Sequence, residues 1–273
     1  MYTAFNLKIK LSDFHNIEEY IQIGKQQKRD LNELAKKELI NFILSEEIID
    51  GKKLSESWFQ TVDSDVFISH SHNDANLAYA LAGWLKKEFS LNVFLDELVW
   101  GSADELLKKL DDKYSYQKET KAYNYTKRNY TSSHVHAMLS SAIQSVMDNS
   151  EVIFFLNTGE SFPAISNVLK ENSEYTLSPW LYQEVTNAKL LRQTNWSVYR
   201  KKRTLNQSLF DASNYLKIAY KTPLNDFTEL DYSILSAWQE KHSNIKHSYY
   251  GNMFANTFEH PLNQLYNIVF ETK

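Results

Sequence analysis

Apolar and polar residues recur with different periods along the chain, and each period predicts a different element. Residues 5–11, FNLKIKL, alternate apolar residues with lysine or asparagine, which predicts a half-buried strand. From about Arg29 to Ile49, leucine, isoleucine and phenylalanine recur at near-helical spacing, which predicts a helix. The polar segment GKKLSES that follows is predicted to be a connection. Residues 1–60 are therefore expected to form a small N-terminal extension of a strand and helices.

After residue 60 the pattern changes to strands that alternate with helices. The run 65–69 predicts a short buried strand and the run 91–95 a second strand, and the segment between them has the apolar spacing of an amphipathic helix. Helical spacing returns around 135–147. The run 151–157 is too apolar to have a solvent face, which is typical of a parallel sheet covered on both sides.

The remaining pattern completes an α/β domain. A helix is predicted at 179–191, because Ser178 occupies the N-cap position and proline the first helical position. A further strand is predicted at 216–220, and helices at about 232–241 and 261–270. This alternation predicts an α/β fold with a doubly wound, mostly parallel sheet.

Composition excludes several classes of function. The chain has 273 residues, a formal net charge of −4 and scattered basic residues apart from Arg200–Arg203, which is predicted to be a solvated turn, so no nucleic-acid partner is expected. The absence of cysteine excludes a thiolate nucleophile and cysteine-based metal sites. There is no leader pattern, and no apolar run approaches the roughly 18 residues of a membrane span. A cytoplasmic protein without a membrane partner is expected.

The histidine-rich segment after the strand at 65–69 raises the question of a metal site. His70-x-His72-x-Asp74 is most of the H-x-H-x-D-H motif with which metallo-β-lactamase-like hydrolases hold zinc. Ala75 occupies the place of the final histidine, and the other histidines show no companion spacing. No metal site is therefore expected.

The alternative is that this segment is a strand-to-helix loop. Asn73 or Asp74 is expected to cap the helix that begins at about Ala75. Ligands of open α/β sheets bind at the carboxyl ends of the strands, and this loop follows such an end. A binding role is therefore expected for the loop even without a metal.

Four blocks of the sequence resemble one known family. DVFISHSHND, NVFLD, EVIFFLN and SPWLYQE match in order and spacing the TIR (Toll/interleukin-1 receptor) domain, whose first strand reads D-V-F-I/L-S and whose enzymatic members carry S-x-W-x-x-x-E. The resemblance covers roughly residues 63–220 and is closest to bacterial TIR proteins of the Thoeris antiphage type. It implies a flavodoxin-like TIR domain at 61–273 that cleaves the nicotinamide–ribose bond of NAD⁺, with NAD⁺ as substrate and no separate cofactor.

Trp180 and Glu184 carry the chemistry that the resemblance implies. They lie four residues apart, so on a helix they share one face. A carboxylate can stabilise the oxocarbenium character that develops on the ribose as nicotinamide leaves. An indole can stack on a nicotinamide or adenine ring. Glu184 is therefore expected to be catalytic, and Trp180 to bind the substrate and to influence whether the product cyclises.

Further substrate-binding residues are implied by the same resemblance. Ser69, His70 and Ser71 follow the first strand of the predicted TIR domain, and Asp96 and Trp100 follow its second strand. These segments correspond to the loops that flank the NAD⁺ pocket in relatives. They are expected to contact the ribose, the diphosphate or the nicotinamide carboxamide.

A long insertion is predicted at about 97–132, where the compact TIR pattern has a shorter connection. It is rich in tyrosine, and such insertions are usually functional or disordered. It is expected to act as a lid or as an assembly contact. His134 and His136 follow it at a spacing that places them roughly 200° apart on a helix, which argues against joint metal ligation.

Two functions are compatible with these patterns. In the first, the protein is an NAD⁺ glycohydrolase or ADP-ribosyl cyclase whose ADP-ribose-derived product is read by a separate effector protein in antiphage defence. In the second, it is a non-catalytic TIR adaptor, and Glu184 has no chemical role. Self-association is expected in both cases.

Overall fold

A parallel five-stranded sheet forms the centre of the protein. The computed structural model describes residues 1–32, 51–59, 64–163, 174–195, 220–251 and 259–270. Within these ranges the strands are β1 (Thr3–Lys8), β2 (Val66–Ser69), β3 (Val93–Leu95), β4 (Tyr116–Gln117), β5 (Ala122–Tyr123), β6 (Val152–Leu156), β7 (Tyr175–Thr176), β8 (Tyr220–Lys221) and β9 (Thr228–Asp231). The sheet has the order β3-β2-β6-β1-β9, and each neighbouring pair is parallel. The predicted α/β fold with a mostly parallel sheet is confirmed.

Helices flank this sheet. Those described are α1 (Ile17–Asn32), α2 (Gly51–Trp58), α3 (Ala75–Phe89), α4 (Glu97–Leu110), α5 (Tyr125–Asn149), α6 (Pro179–Leu190), α7 (Tyr232–Gly251) and α8 (Pro261–Phe270). The predicted starts of α3, α6, α7 and α8 are confirmed, whereas α5 begins ten residues before the predicted 135. The prediction that GKKLSES is a connection is wrong, because this segment forms α2. Most of the helix predicted at 29–49 and the basic cluster at 200–203 lie outside the described residues. None of the described helices is long and apolar enough to cross a membrane.

The sequence predicted correctly that the strands at 65–69 and 151–157 are buried. Every residue of β2 and of β6 is buried, and Phe67, Ile68 and Phe154 are fully inaccessible. Parallel strands in the middle of a sheet are covered on both faces, so they need apolar residues at successive positions. The core of the protein therefore lies on both sides of β2 and β6.

The N-terminal strand lies inside the same sheet. β1 pairs with β6 on one side and with β9 on the other, with Phe5 opposite Phe154 and Thr228. The prediction of a half-buried strand is wrong, because Asn6 is only 2% exposed. A strand that has neighbours on both edges and is covered on both faces has no face exposed to solvent, even when its apolar and polar residues alternate. Residues 1–60 and the chain after residue 61 therefore contribute to one sheet.

The strand order departs from a simple flavodoxin-like sheet at one position. The neighbours β3, β2 and β6 repeat the 2-1-3 order with which the flavodoxin-like arrangement begins. The next position is occupied by β1, from the N-terminal end of the chain, rather than by a strand that follows β6. The strand predicted at 216–220 is described only from Tyr220, in β8, which pairs antiparallel with β7 outside the main sheet.

Two glycines allow close approach of α1 and α3. A Cβ on Gly83 would stand 1.8 Å from the carbonyl oxygen of Tyr20, and a Cβ on Gly24 would stand 2.2 Å from that of Tyr79. Both distances are far shorter than any carbon–oxygen contact, so the two helix backbones pack directly against each other. This contact joins the N-terminal segment to the βαβ unit.

The predicted insertion at 97–132 is folded into helices and a hairpin. It contains α4, a π-helical turn at Asp111–Ser115, the antiparallel pair β4–β5 and the first residues of α5. The turn is anchored by Asp111, which accepts hydrogen bonds from Arg128 and Thr131. The tyrosines of this segment are exposed, namely Tyr114, Tyr116, Tyr123, Tyr125 and Tyr130.

Candidate active site

The candidate site lies at the carboxyl ends of β2, β3 and β6. The chain crosses from β2 to β3 on one side and then returns to place β6 on the other side of β2. The strand order therefore reverses at β2. Such a reversal opens a crevice beyond the strand ends, and ligands of open α/β sheets bind there.

Helix α6 brings Glu184 to this crevice. Ser178 caps the helix as predicted, because its Oγ accepts a hydrogen bond from the backbone N–H of Leu181 at 3.3 Å. Leu181, Val185 and Ala188 are buried at the three- and four-residue spacing of one helix face. Glu184 is on this same face and is 0% exposed. A carboxyl group therefore occupies a helix position at which the apolar spacing predicts a buried apolar side chain.

Three predicted residues meet around Glu184. The Oγ of Ser69, at the end of β2, donates a hydrogen bond to Oε2 of Glu184 at 2.6 Å. Asp96, after β3, accepts a bond from the backbone N–H of His70 at 3.0 Å, and its other oxygen lies 2.6 Å from Nδ1 of the His70 ring. Ser69, His70, Asp96 and Glu184 thus form one buried cluster from three separate elements.

The electrostatics of this cluster favour a proton on Glu184. Burial raises the pKa of Glu184 well above its usual value, and the charge of Asp96 and a hydrogen bond between the two carboxyl groups raise it further. The hydrogen bond from Ser69 and the positive charge of His70 oppose this shift. Oε1 of Glu184 receives no hydrogen bond from any described donor. A proton on Glu184 would let this carboxyl donate to Asp96.

Trp180 lies one helical turn before Glu184 and is half-buried. Its ring packs edge-on against His136 of α5, with centroids 5.5 Å apart and ring planes at 80°. Two hydrogen bonds reinforce this contact between α5 and α6, from Gln183 to Ser140 and from Gln144 to Asn187. The side of α6 that carries Trp180 therefore packs against α5.

Asp74 ties together the loops that follow β2 and β6. Its Oδ2 accepts hydrogen bonds from the hydroxyl groups of Ser71 at 2.9 Å, Thr158 at 2.5 Å and Ser161 at 2.6 Å. The backbone N–H of Ser71 also donates to Oγ of Ser161 at 2.9 Å. The expected side-chain cap is wrong: Asp74 is the N-cap residue of α3 by position, but its carboxylate makes no capping bond because these hydroxyls occupy it.

The structure brings together most, but not all, of the predicted site residues. Ser69, His70, Asp96 and Glu184 are in contact, whereas Ser71 belongs to the neighbouring Asp74 network. The side chain of Trp100 lies outside the described residues. Thr158 and Ser161 were not predicted. The signal for them is the polar segment NTGES directly after the buried run of β6, at the same edge of the sheet.

The two histidines of the His70-x-His72-x-Asp74 segment have different surroundings. His70 is buried against Asp96, whereas His72 is exposed in a short 3₁₀ turn. His134 packs near Tyr130, and His136 packs against Trp180 on another side of α5. Among the residues that the structure describes, no group of three or more histidine, aspartate or glutamate side chains is arranged to hold a metal ion.

Comparison with known proteins adds no further constraint. No protein-family model, no curated protein and no solved structure matches the chain. The function must therefore be inferred from the buried cluster and from the residues around it.

Proposed function

We propose that the protein is a TIR-type enzyme that cleaves the nicotinamide–ribose bond of NAD⁺. The observation that supports this proposal is the convergence of Ser69, His70 and Asp96 on a fully buried Glu184 at the carboxyl edge of the sheet. Sites with strongly perturbed carboxyl groups in such crevices are typical of catalysis. Trp180 lies one helical turn before Glu184 on α6 and supplies an aromatic ring that packs against His136.

Glu184 would act on the ribose. When the bond between C1′ and the nicotinamide nitrogen breaks, its electron pair goes to nicotinamide, which leaves as a neutral molecule. The positive charge passes to C1′ and the ring oxygen. An ionised Glu184 beside this ring stabilises that charge. Water then adds to C1′ and loses a proton to give ADP-ribose, or a nitrogen of the adenine adds instead to give a cyclic product.

Binding of NAD⁺ would itself change the protonation state of Glu184. The raised pKa favours the protonated form of the carboxyl group. The nicotinamide ring of NAD⁺ carries a positive charge, and a nearby positive charge favours the ionised form of a carboxyl group. Binding of NAD⁺ therefore promotes loss of the proton at the point where the carboxylate is needed.

Access to Glu184 requires movement of the groups that cover it, because none of its surface is exposed. Trp180 is the half-buried aromatic residue that lies one helical turn before it on α6, packed edge-on against His136. A shift of Trp180 would open the crevice and present the indole face to the nicotinamide or adenine ring. Ser69, His70, Ser71, Asp96 and Trp100 are proposed as the other substrate contacts.

The test is release of nicotinamide from NAD⁺, measured by chromatography, with mass spectrometry of the second product. Wild type is compared with Glu184→Gln, which keeps the shape of the side chain, and with Glu119→Gln, which changes an exposed glutamate on the β4–β5 turn. Because some enzymes of this kind act only when triggered, each protein is assayed with and without extract from phage-infected cells. We expect wild type and Glu119→Gln to act equally, and Glu184→Gln to lose activity at least about a hundredfold.

A non-catalytic adaptor is the second candidate. The observation that favours it is the group of exposed tyrosines on and beside the β4–β5 hairpin, since tyrosine is enriched in interfaces. If folded wild-type protein released no nicotinamide in either condition but formed larger assemblies by light scattering, the enzymatic proposal would fail and the adaptor would be supported. Equal activity of wild type and Glu184→Gln would remove the proposed role of Glu184.

A further inference from the structure

A separate cavity of about 620 Å³ lies between α2, the π-helical turn and α5. This volume is within the range of sites that bind small molecules. Its walls are formed by residues from four elements, among them Leu54 of α2, Leu110 of α4, Tyr114 of the π-helical turn, and Lys127, Tyr130 and Met138 of α5. None of these residues belongs to the buried cluster around Glu184.

Helix α5 separates this cavity from the candidate active site. The cavity is lined by positions 127, 130, 134 and 138, which recur every three or four residues and form one stripe of the helix. The contacts to α6 come from positions 136, 140 and 144, which form a different stripe. His134 and His136 are two residues apart and so lie roughly 200° apart around the helix axis. The cavity is therefore a distinct site.

The walls combine apolar and aromatic surface. Leu54, Leu110 and Met138 contribute aliphatic and thioether groups, and Tyr114 and Tyr130 contribute rings that are 38% and 70% exposed. A pocket lined by flat rings and a flexible thioether suits a planar apolar body. Ligand sites usually add a small number of polar groups to such walls, and these groups fix the orientation of the ligand.

The charges at the cavity have one sign. Lys127 is positively charged, and no acidic residue is among the described lining residues. Asp111, in the adjoining π-helical turn, has its carboxylate occupied by the Arg128 guanidinium at 2.9 Å and by the hydroxyl of Thr131. The positive charge of Lys127 therefore remains available to a ligand at the rim.

We propose that this cavity binds a small aromatic molecule that carries one negatively charged group. The planar body would lie among Leu54, Met138 and the tyrosine rings, and the anionic group would face Lys127. This site is independent of NAD⁺ cleavage, so the proposal stands or falls separately from the function proposed above.

The probe is 8-anilinonaphthalene-1-sulfonate, an aromatic anion whose fluorescence increases in apolar surroundings. Its neutral counterpart, N-phenyl-1-naphthylamine, lacks the sulfonate and serves as the matched ligand. We expect saturable binding of the anion to one site per chain. Ala137→Trp, which fills the cavity, should weaken binding of both probes at least about tenfold. Circular dichroism and thermal unfolding check that each variant is folded.

The charge is tested by Lys127→Gln, with Lys118→Gln as the control because Lys118 is exposed on the β4–β5 turn and does not line the cavity. Lys127→Gln should weaken binding of the anion about three- to tenfold and leave binding of the neutral probe unchanged. Lys118→Gln should change neither. Equal loss of both probes in Lys127→Gln, or equal effects of the two lysine variants, would overturn the anionic part of the proposal.

Methyl NMR gives a measurement that does not depend on fluorescence. The chain has four methionines, of which Met138 lines the cavity and Met147, on the same helix, is 0% exposed in the core. The probe should shift the methyl resonance of Met138, identified with Met138→Leu, and leave that of Met147 in place. If the probe did not saturate, if Ala137→Trp had no effect, or if Met138 did not respond, the cavity would not be this binding site.

Discussion

The Oγ of Ser69 lies 2.6 Å from Oε2 of Glu184, although 115 positions separate the two residues in the chain. Ser69 ends a central parallel strand, and Glu184 lies on the buried face of α6. The contact places a carboxyl group in the core of the protein, where it is stable only if it is protonated or well paired. The first two predictions below test the consequences of this burial.

The first prediction concerns stability and pH in Glu184→Gln. The folded protein holds the Glu184 proton to a higher pH than the unfolded chain does, because the pKa is raised on folding. The stability associated with the neutral carboxyl group is thus present at low pH and lost as pH rises through the raised pKa. Each unit of such a shift corresponds to about 1.4 kcal/mol.

Glu184→Gln should therefore unfold at a higher temperature than wild type at neutral and alkaline pH, and the difference should shrink toward pH 4. Thermal unfolding at several pH values, followed by circular dichroism, measures this. Glu119→Gln is the control and should track wild type throughout. A larger advantage of Glu184→Gln at acid pH than at alkaline pH would contradict the assigned direction of the shift.

The second prediction concerns Asp96→Asn. Removal of the negative charge beside Glu184 takes away one cause of its raised pKa, so this pKa should fall. Carbon-13 NMR of the glutamate carboxyl groups across a pH titration measures it, with Asp226→Asn as the control because Asp226 pairs with Lys189 on the exposed side of α6. If Asp96→Asn raised the pKa of Glu184, the arrangement of the two carboxyl groups would be wrong.

The third prediction concerns the Asp74 network. In Asp74→Ala, three hydroxyl groups lose a charged acceptor, and hydrogen bonds to charged groups are worth about 1.5–3 kcal/mol each before relaxation. We expect a net loss of about 2–4 kcal/mol in the free energy of unfolding, measured by urea denaturation. Asn73→Ala removes only the exposed bond to Glu160 and should cost less than about 0.5 kcal/mol. Similar losses in both variants would mean that the network contributes little.

The fourth prediction concerns Gly83→Ala. Its new methyl group would overlap the backbone oxygen of Tyr20, so α1 and α3 would have to move apart. Overpacking of this kind costs typically about 1–3 kcal/mol, and we expect a loss at the upper end because the obstructing atom belongs to a helix backbone. Gly159→Ala is the control, since nothing lies within 4 Å of a Cβ at that position. Denaturant midpoints that agreed between the two variants would show that the helices are not in direct contact.

The fifth prediction concerns Trp180 and depends on the proposed function. Stacking of a base on an aromatic ring is worth about 1–3 kcal/mol, so Trp180→Ala should raise KM for NAD⁺ roughly 5- to 100-fold and change the ratio of linear to cyclic product. Tyr182→Ala, on the exposed side of the same helix, is the control. Kinetics and mass spectrometry of the products measure both effects. An unchanged KM and product ratio in Trp180→Ala would exclude a stacking role.

The periodicity of apolar residues predicted an element correctly where local sequence signals are sufficient to define that element. The start of α6 was predictable because Ser178 and Pro179 are local signals that do not depend on distant residues. The burial of β6 was predictable because its run has no polar residue to place toward water. The half-buried reading of β1 failed because alternation does not report how many layers cover a strand, and Asn6 is buried between two sheet neighbours.

The chain by itself determined the strand–helix alternation and the cap of α6, since these follow from local spacing, and the resemblance of four sequence blocks to TIR motifs indicated the candidates Ser69, His70, Asp96 and Glu184. Only the tertiary structure decided that β1 lies beside β6, that Asp74 bonds to the loop after β6 instead of capping α3, and that Glu184 is buried beside a second carboxyl group. Contacts between residues far apart in sequence depend on how whole elements pack. The local pattern of apolar and polar residues does not specify that packing.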